Sequence, residues 1–241
     1  MSRAGWVDVT CLVMAKAPLP GRCKTRLGAE AGMAEAARLA AAALRDTVRT
    51  CTEAFGAERC VLALAGDLHE VPEPQYLVAE LAGWRVVGQR GAGFGARLAN
   101  AHRDCGPGPV VQIGMDTPHA RVADLLAAAD LLVSPVERYA GGRYAGGRYA
   151  GRAVLGPAED GGWWLLGLTD PRAAAVLTGV PMSTGRTGAL TRAALEEHGL
   201  EVTTTVGLRD VDTVADAHHA ATAAPESDFA RAWALVAGVR S

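Results

Sequence analysis

The chain has 241 residues, a formal net charge of −2, 49% apolar residues and only 5% aromatics. A near-neutral balance excludes a general nucleic-acid binder, which needs a basic face, and no apolar run reaches the ~18 residues of a membrane helix. The five cysteines, Cys11, Cys23, Cys51, Cys60 and Cys105, are odd in number and hold no C-x-x-C pair, so they predict neither a disulfide framework nor a metal-site spacing.

In chain order, residues 7–14 (VDVTCLVM) read as a buried strand. A stiff segment, AKAPLPGRCKTRL at 15–27, follows; its two prolines and a glycine predict neither helix nor strand. The alanine-rich stretch 33–51 places Leu39, Ala43, Leu44 and Val48 on one helical face. Strands are expected at 60–65, 84–87 and 110–115, with helices at 94–103 and 122–131. Further strands are expected at 153–155, 163–168 and 201–206, helices at 172–177 and 187–198, and a mostly helical tail at 213–238. Alternating strands and helices predict an α/β fold: one domain over residues 1–241, with a mixed, mostly parallel sheet and helices on both faces. No basic, apolar, small-residue succession opens the chain, which predicts no signal peptide and a reduced, cytoplasmic protein.

Residues 138–151 repeat RYAGG in tandem. The unit is too short for a solenoid and reads as an expanded loop. The alternative is a basic flap, in which Arg138, Arg143, Arg148 and Arg152 close over an anion.

Four segments carry candidate chemistry. In open α/β sheets ligands bind beyond the carboxyl ends of the strands. The loop 15–26 lies at such an end, where its amides, Lys24 and Arg26 can face phosphate oxygens; the alternative is a solvated basic turn. Asp116 follows an apolar strand in QIGMDTP and suits either Mg²⁺ against a diphosphate or the cap of the next helix. Asp160 in GPAEDGGWW has two glycines that leave room for a ligand; the alternative is a hairpin turn. Asp210 and Asp212 in LRDVDTVAD point the same way off an extended piece and can complete a metal site with Asp116, unless Asp212 is a helix cap.

The order of these segments resembles the GT-A fold of nucleotide-sugar transferases. More closely, the chain is similar to the "transferase 1" family (DUF2064), found beside radical-SAM selenodomain genes. The resemblance runs from Ala15–Leu27 through Gln89–Arg97, Gly114–Pro118, Gly156–Trp163 and Ser183-Thr184 to Asp210–Thr213. The chain departs from the family pattern where Phe94-Gly95-Ala96-Arg97 stands for Leu-Gly-Glu-Arg, where Trp163 stands for Tyr, and where the RYAGG repeat interrupts a strand.

The resemblance implies a metal-dependent glycosyltransferase with a nucleoside diphosphate sugar donor and a small acceptor. It implies a nucleotide site built from Ala15, Lys16, Pro18, Gly21, Lys24, Thr25 and Arg26, with Gln89, Gly91 and Arg97. Asp160, Gly161, Gly162 and Thr184 would meet the substrate. Lys24, Arg26 and Asp160 would carry the chemistry, and Asp116 with Asp210 or, preferably, Asp212 would hold Mg²⁺ or Mn²⁺. Lys-Thr-Arg-Leu also resembles phospholactate guanylyltransferases, which leaves nucleotidyl transfer from a triphosphate as the alternative. A non-catalytic nucleotide-sugar binder is the third.

Overall fold

The computed structural model describes residues 9–133 and 151–238. Val7, Asp8 and all of the RYAGG repeat except Gly151 lie outside the described residues.

Among the described residues seven strands form one sheet: β1 (Thr10–Lys16), β2 (Cys60–Ala65), β3 (Arg85–Gly88), β4 (Val110–Gly114), β5 (Gly151–Pro157), β6 (Trp163–Leu168) and β7 (Leu200–Thr204). The spatial order is β3-β2-β1-β4-β6-β5-β7. All neighbours pair in parallel except around β6, which runs antiparallel to β4 and β5. β1 and β2 are apolar almost throughout because both of their faces are covered.

The alternation of the strands sorts the core. Cys11, Val13, Leu62, Val111 and Ile113 point to the face covered by α2 (Met33–Phe55) and α5 (Val122–Val133). Leu12, Met14, Val61 and Val110 point to the other, where α4 (Phe94–Asp104), a 3₁₀ segment (Pro171–Gly179) and α6 (Thr187–Glu197) lie. α2 is buried on two sides. Leu44 and Val48 meet the sheet, while Leu39 and Ala43 meet α1 (Thr25–Ala31), α7 (Val214–Ala223) and α8 (Asp228–Gly238) through Leu27, Ala217, Phe229 and Trp233. Among the described residues no helix is long and apolar enough to cross a membrane.

The architecture and most elements agree with the expectations, with some differences. The segment 15–27 is loop only in its middle: Ala15 and Lys16 extend β1, and Thr25 to Leu27 open α1. The prolines and Gly21 break regular structure only where they stand. α1 and α3 (Pro74–Glu80) were not anticipated, since seven residues hold too few turns to display a period. The helix expected at 172–177 is the 3₁₀ segment, started by Asp170 and Pro171. Arg152 is not part of a flap, because it sits inside β5 with its backbone bonded to Thr169.

Candidate functional site

The carboxyl ends of β1 and β4 open onto a cleft with two adjoining halves. One half, of about 430 Å³, is basic: Lys16, Arg22, Lys24 and Arg97 line it together with Ala15, Thr25, Gln89, Asp116 and Asp212. The other, of about 240 Å³, is acidic and aromatic: Asp116, Asp160 and Asp210 line it with Trp163, Trp164, Phe94 and Thr184, and among the described residues no basic side chain does. Asp116, Met14, Phe94 and Ser183 border both halves.

Lys24 is the hinge of the basic half. It precedes α1 in a left-handed conformation, φ 47° and ψ 44°, which a non-glycine residue adopts only when its surroundings demand it. Its side chain is 7% exposed, and Nζ lies 2.5 Å from Asp116 Oδ1 and 3.4 Å from Asp212 Oδ1. Burial, the largest influence, pushes the Lys24 ammonium down; Asp116, Asp212 and Asp210 outweigh it, so its pKa is raised and the charge is kept. Arg26 differs sharply. It is 80% exposed, lines neither half, and reaches Asp212 only at 3.6 Å.

Neither helix-cap alternative holds. Asp116 stands six residues before Val122, the start of α5. The cap of α7 is Thr213, which forms a reciprocal box with Asp216. Asp116 and Asp212 are instead joined through Lys24, and the backbone locks them there, since Val211 N–H donates to Asp116 O at 2.9 Å. Asp210 and Asp212 line opposite halves rather than one face. The chain there is not a regular strand but is pinned at Leu208 and Val211. Among the described residues, no three His, Cys, Asp or Glu side chains converge closely enough to hold a metal ion by themselves. Burial first, then Asp116, pushes Asp210 up to about 7 against the pull of Lys24.

Asp160 sits in the turn of the β5–β6 hairpin, where its Oδ1 accepts the Gly162 N–H at 2.7 Å. The hairpin alternative is therefore correct, and the same turn lines the acidic half. The room at Gly161 does not serve a ligand. At φ +86°, a Cβ there would lie 2.1 Å from the Gly185 carbonyl oxygen, and Gly188 N–H donates to Gly161 O at 2.8 Å. Gly161 thus docks the turn against the loop that carries Ser183 and Thr184.

Gln89 spends its amide on the sheet, donating from Nε2 to Ala15 O and Ala63 O, each at 2.9 Å. Arg97 leans on Phe94 at 5.7 Å from the ring centroid. Its buried Nε has no hydrogen-bond partner among the described residues. Pro18, Gly21 and Gly91 line neither half. Gly21 turns the chain at φ +72°, and Gly91 packs on Ala96 and Asn100 of α4.

Sequence reasoning missed the aromatic and amide side of the acidic half. Gln112 and Thr117 are each 2% exposed, line it, and leave Oε1 and Oγ1 without a partner among the described residues. A glutamine inside the apolar strand VVQIG was the available signal. Ser183, at φ 60°, is a second strained residue on the cleft.

The model of the family described as "Uncharacterized protein conserved in bacteria (DUF2064)" matches residues 47–184, more than half of the chain. The chain belongs to the DUF2064 family. No curated protein sequence matches it. Among solved structures, a candidate nucleotide-diphospho-sugar transferase from Desulfovibrio desulfuricans G20 superposes with a TM-score of 0.74 at 24% identity, covering 95% of this chain and 94% of that one. A cytidylyltransferase from Leptospira borgpetersenii gives 0.53 at 12% identity over 97% and 95%. A CMP:2-keto-3-deoxy-manno-octonic acid synthetase complexed with CTP gives 0.55 at 12% over 91% and 99%. This DUF2064 chain therefore shares the α/β fold of nucleotide-sugar transferases and cytidylyltransferases.

Proposed function

We propose that this DUF2064 protein is a metal-dependent transferase that moves a sugar from a nucleoside diphosphate sugar to a small, uncharged acceptor. The observation that carries the reading is the division of the cleft by charge, with Asp116 on the border. The basic half suits a diphosphate: Lys16 and Arg22 supply charge, and the unpartnered Arg97 Nε supplies a buried donor. The acidic half suits a neutral hydroxyl compound, since Asp116, Asp160 and Asp210 repel phosphate and carboxylate, while Trp163 and Phe94 offer apolar faces.

Mg²⁺ is usually held by one or two carboxylates plus substrate phosphates rather than by a closed protein cage. Asp116 and Asp212 fit that demand. Through Lys24 their Oδ1 atoms are at most about 6 Å apart, inside the reach of two oxygens ~2.0–2.6 Å from one ion after a small rotamer change. Bound there, Mg²⁺ or Mn²⁺ would neutralise the charge that develops on the departing diphosphate. Lys16, Arg22 and Arg97 would orient the same group and stabilise it. Asp160, fixed by Gly162 N–H, would accept the proton of the acceptor hydroxyl through its other oxygen.

Nucleotidyl transfer is the second reading, supported by the fold shared with the two cytidylyltransferase-type structures. A thermal-shift screen of nucleoside di- and triphosphates and nucleotide sugars, with and without Mn²⁺, tests the nucleotide site. A ligand at a hundred times its Kd adds about 2.7 kcal/mol of stability. The reaction product then separates the readings: nucleoside diphosphate release supports sugar transfer, and pyrophosphate release supports nucleotidyl transfer.

A further inference from the structure

Lys24 is built for more than meeting a phosphate. A lysine waiting for a ligand keeps its head hydrated and its stem mobile. This one is held at φ 47° with its side chain 7% exposed and its ammonium inside the carboxylate pair, at 2.5 Å from Asp116 and 3.4 Å from Asp212. Asp116 and Asp212 enter the cleft from segments almost a hundred positions apart, and Val211 N–H fixes their spacing on Asp116 O. Without a cation between them the two carboxylates would repel each other, and Asp210 on the acidic side would add to that repulsion. Arg26 is too exposed and too distant, at 3.6 Å from one carboxylate only, to replace the ammonium.

The same two oxygens are the ligands that a divalent ion would take. An ammonium and a divalent cation in contact with one carboxylate pair repel strongly in a part-buried cleft. One must leave before the other binds. Lys24 has somewhere to go, because the basic half that it also lines is the half suited to a diphosphate.

We propose that Lys24 is the resident cation of the ligand-free site and competes with the divalent ion for Asp116 and Asp212, so that the ion binds tightly only together with a nucleotide whose phosphates draw the ammonium away. This rests on the metal reading under Proposed function. It makes metal and nucleotide binding mutually dependent, with Lys24 as the coupling element.

The test is Mn²⁺ binding to the full chain, read from the electron paramagnetic resonance of free Mn²⁺, without turnover. It uses wild type and Lys24→Met, with and without whichever of ADP, CDP, GDP and UDP most raises the melting temperature. Wild type is expected to bind Mn²⁺ about tenfold or more tightly with the nucleotide than without it. Lys24→Met is expected to bind Mn²⁺ without nucleotide about tenfold more tightly than wild type, and to lose most of the nucleotide dependence. Arg26→Met serves as the control and stays within about threefold of wild type. Should Lys24→Met fail to fold, as its melting curve would reveal, Lys24→Gln takes its place with the same expected and overturning results, because nucleotide phosphates are themselves Mn²⁺ ligands and only a Lys24 variant isolates the ammonium. Equal Mn²⁺ affinity of wild type with and without nucleotide overturns the coupling but leaves the metal reading standing, and so does unchanged affinity in folded Lys24→Met. Absence of Mn²⁺ binding in every sample overturns both.

Discussion

The two halves of the cleft are built by different means. The basic half takes its charge from one continuous segment, Lys16 to Thr25, laid over the end of β1 and completed by Arg97 from α4. The acidic half is assembled from separate stretches, among them Gln112 on β4, Asp116 and Thr117 after it, the Asp160 turn, the Ser183-Thr184 loop and Asp210. A local segment needs only its own strand to place it. An assembled pocket needs the whole sheet, above all the antiparallel β6 that brings the Asp160 turn beside β4. The difference predicts that damage to the first half stays local, whereas the border residue damages both.

The largest expected effect is therefore at Asp116. Asp116→Asn removes a carboxylate from both halves and the closest partner of Lys24. Turnover with any donor should fall by about 10²–10³, the usual scale for a lost charge-stabilising group. Near-normal turnover would abolish the border role.

Next is Asp210, which separates the halves by pH. Its pKa is pushed up to about 7, by burial first and then by Asp116. An aspartate whose folded pKa exceeds its unfolded value binds more protons when folded, so its contribution is intact below the unfolded pKa near 4 and is lost as pH rises towards 7. Asp210→Asn should stabilise the metal-free protein by about 1–3 kcal/mol at pH 8 and by almost nothing at pH 4. Thermal melts at the two pH values check this. A variant equally or less stable at pH 8 would show that Asp210 is paid no penalty for its charge.

Arg97 sharpens the comparison from the other side. Arg97→Met keeps an unbranched side chain of similar reach but removes the buried donor and the guanidinium that lies over the Phe94 ring. Nucleoside diphosphate affinity should fall about tenfold, with the acceptor KM unchanged, since a charged hydrogen bond is worth ~1.5–3 kcal/mol. The smallest effect belongs to Arg26→Ala, which should change stability by less than about 0.5 kcal/mol, as expected of an exposed pair.

How much was legible follows the same division. The strands at 60–65 and 163–168 have the expected bounds, because a short apolar run between polar residues states its own ends. The basic segment was visible from its charge density and its position after a strand. Its inner geometry was not: nothing in the string KTRL distinguishes a lysine buried between two carboxylates from an arginine 80% exposed two residues later. That distinction depends on the turn at Lys24 and on Asp212, 188 positions away. The role of Gly161 was equally hidden. It is set by the carbonyl of Gly185, which no local pattern brings near. Gln112 and Thr117 were readable in principle as polar residues within and just after a buried strand, and their partnerless oxygens required the packed structure.

The most direct test of the divided cleft is calorimetric titration of the same nucleoside diphosphate, with Mn²⁺ present, into wild type, Arg97→Met and Asp160→Asn. A diphosphate held in the basic half alone predicts about a tenfold loss for Arg97→Met and wild-type affinity for Asp160→Asn. A loss confined to Asp160→Asn, with Arg97→Met binding as wild type does, would place the nucleotide in the acidic half and contradict it.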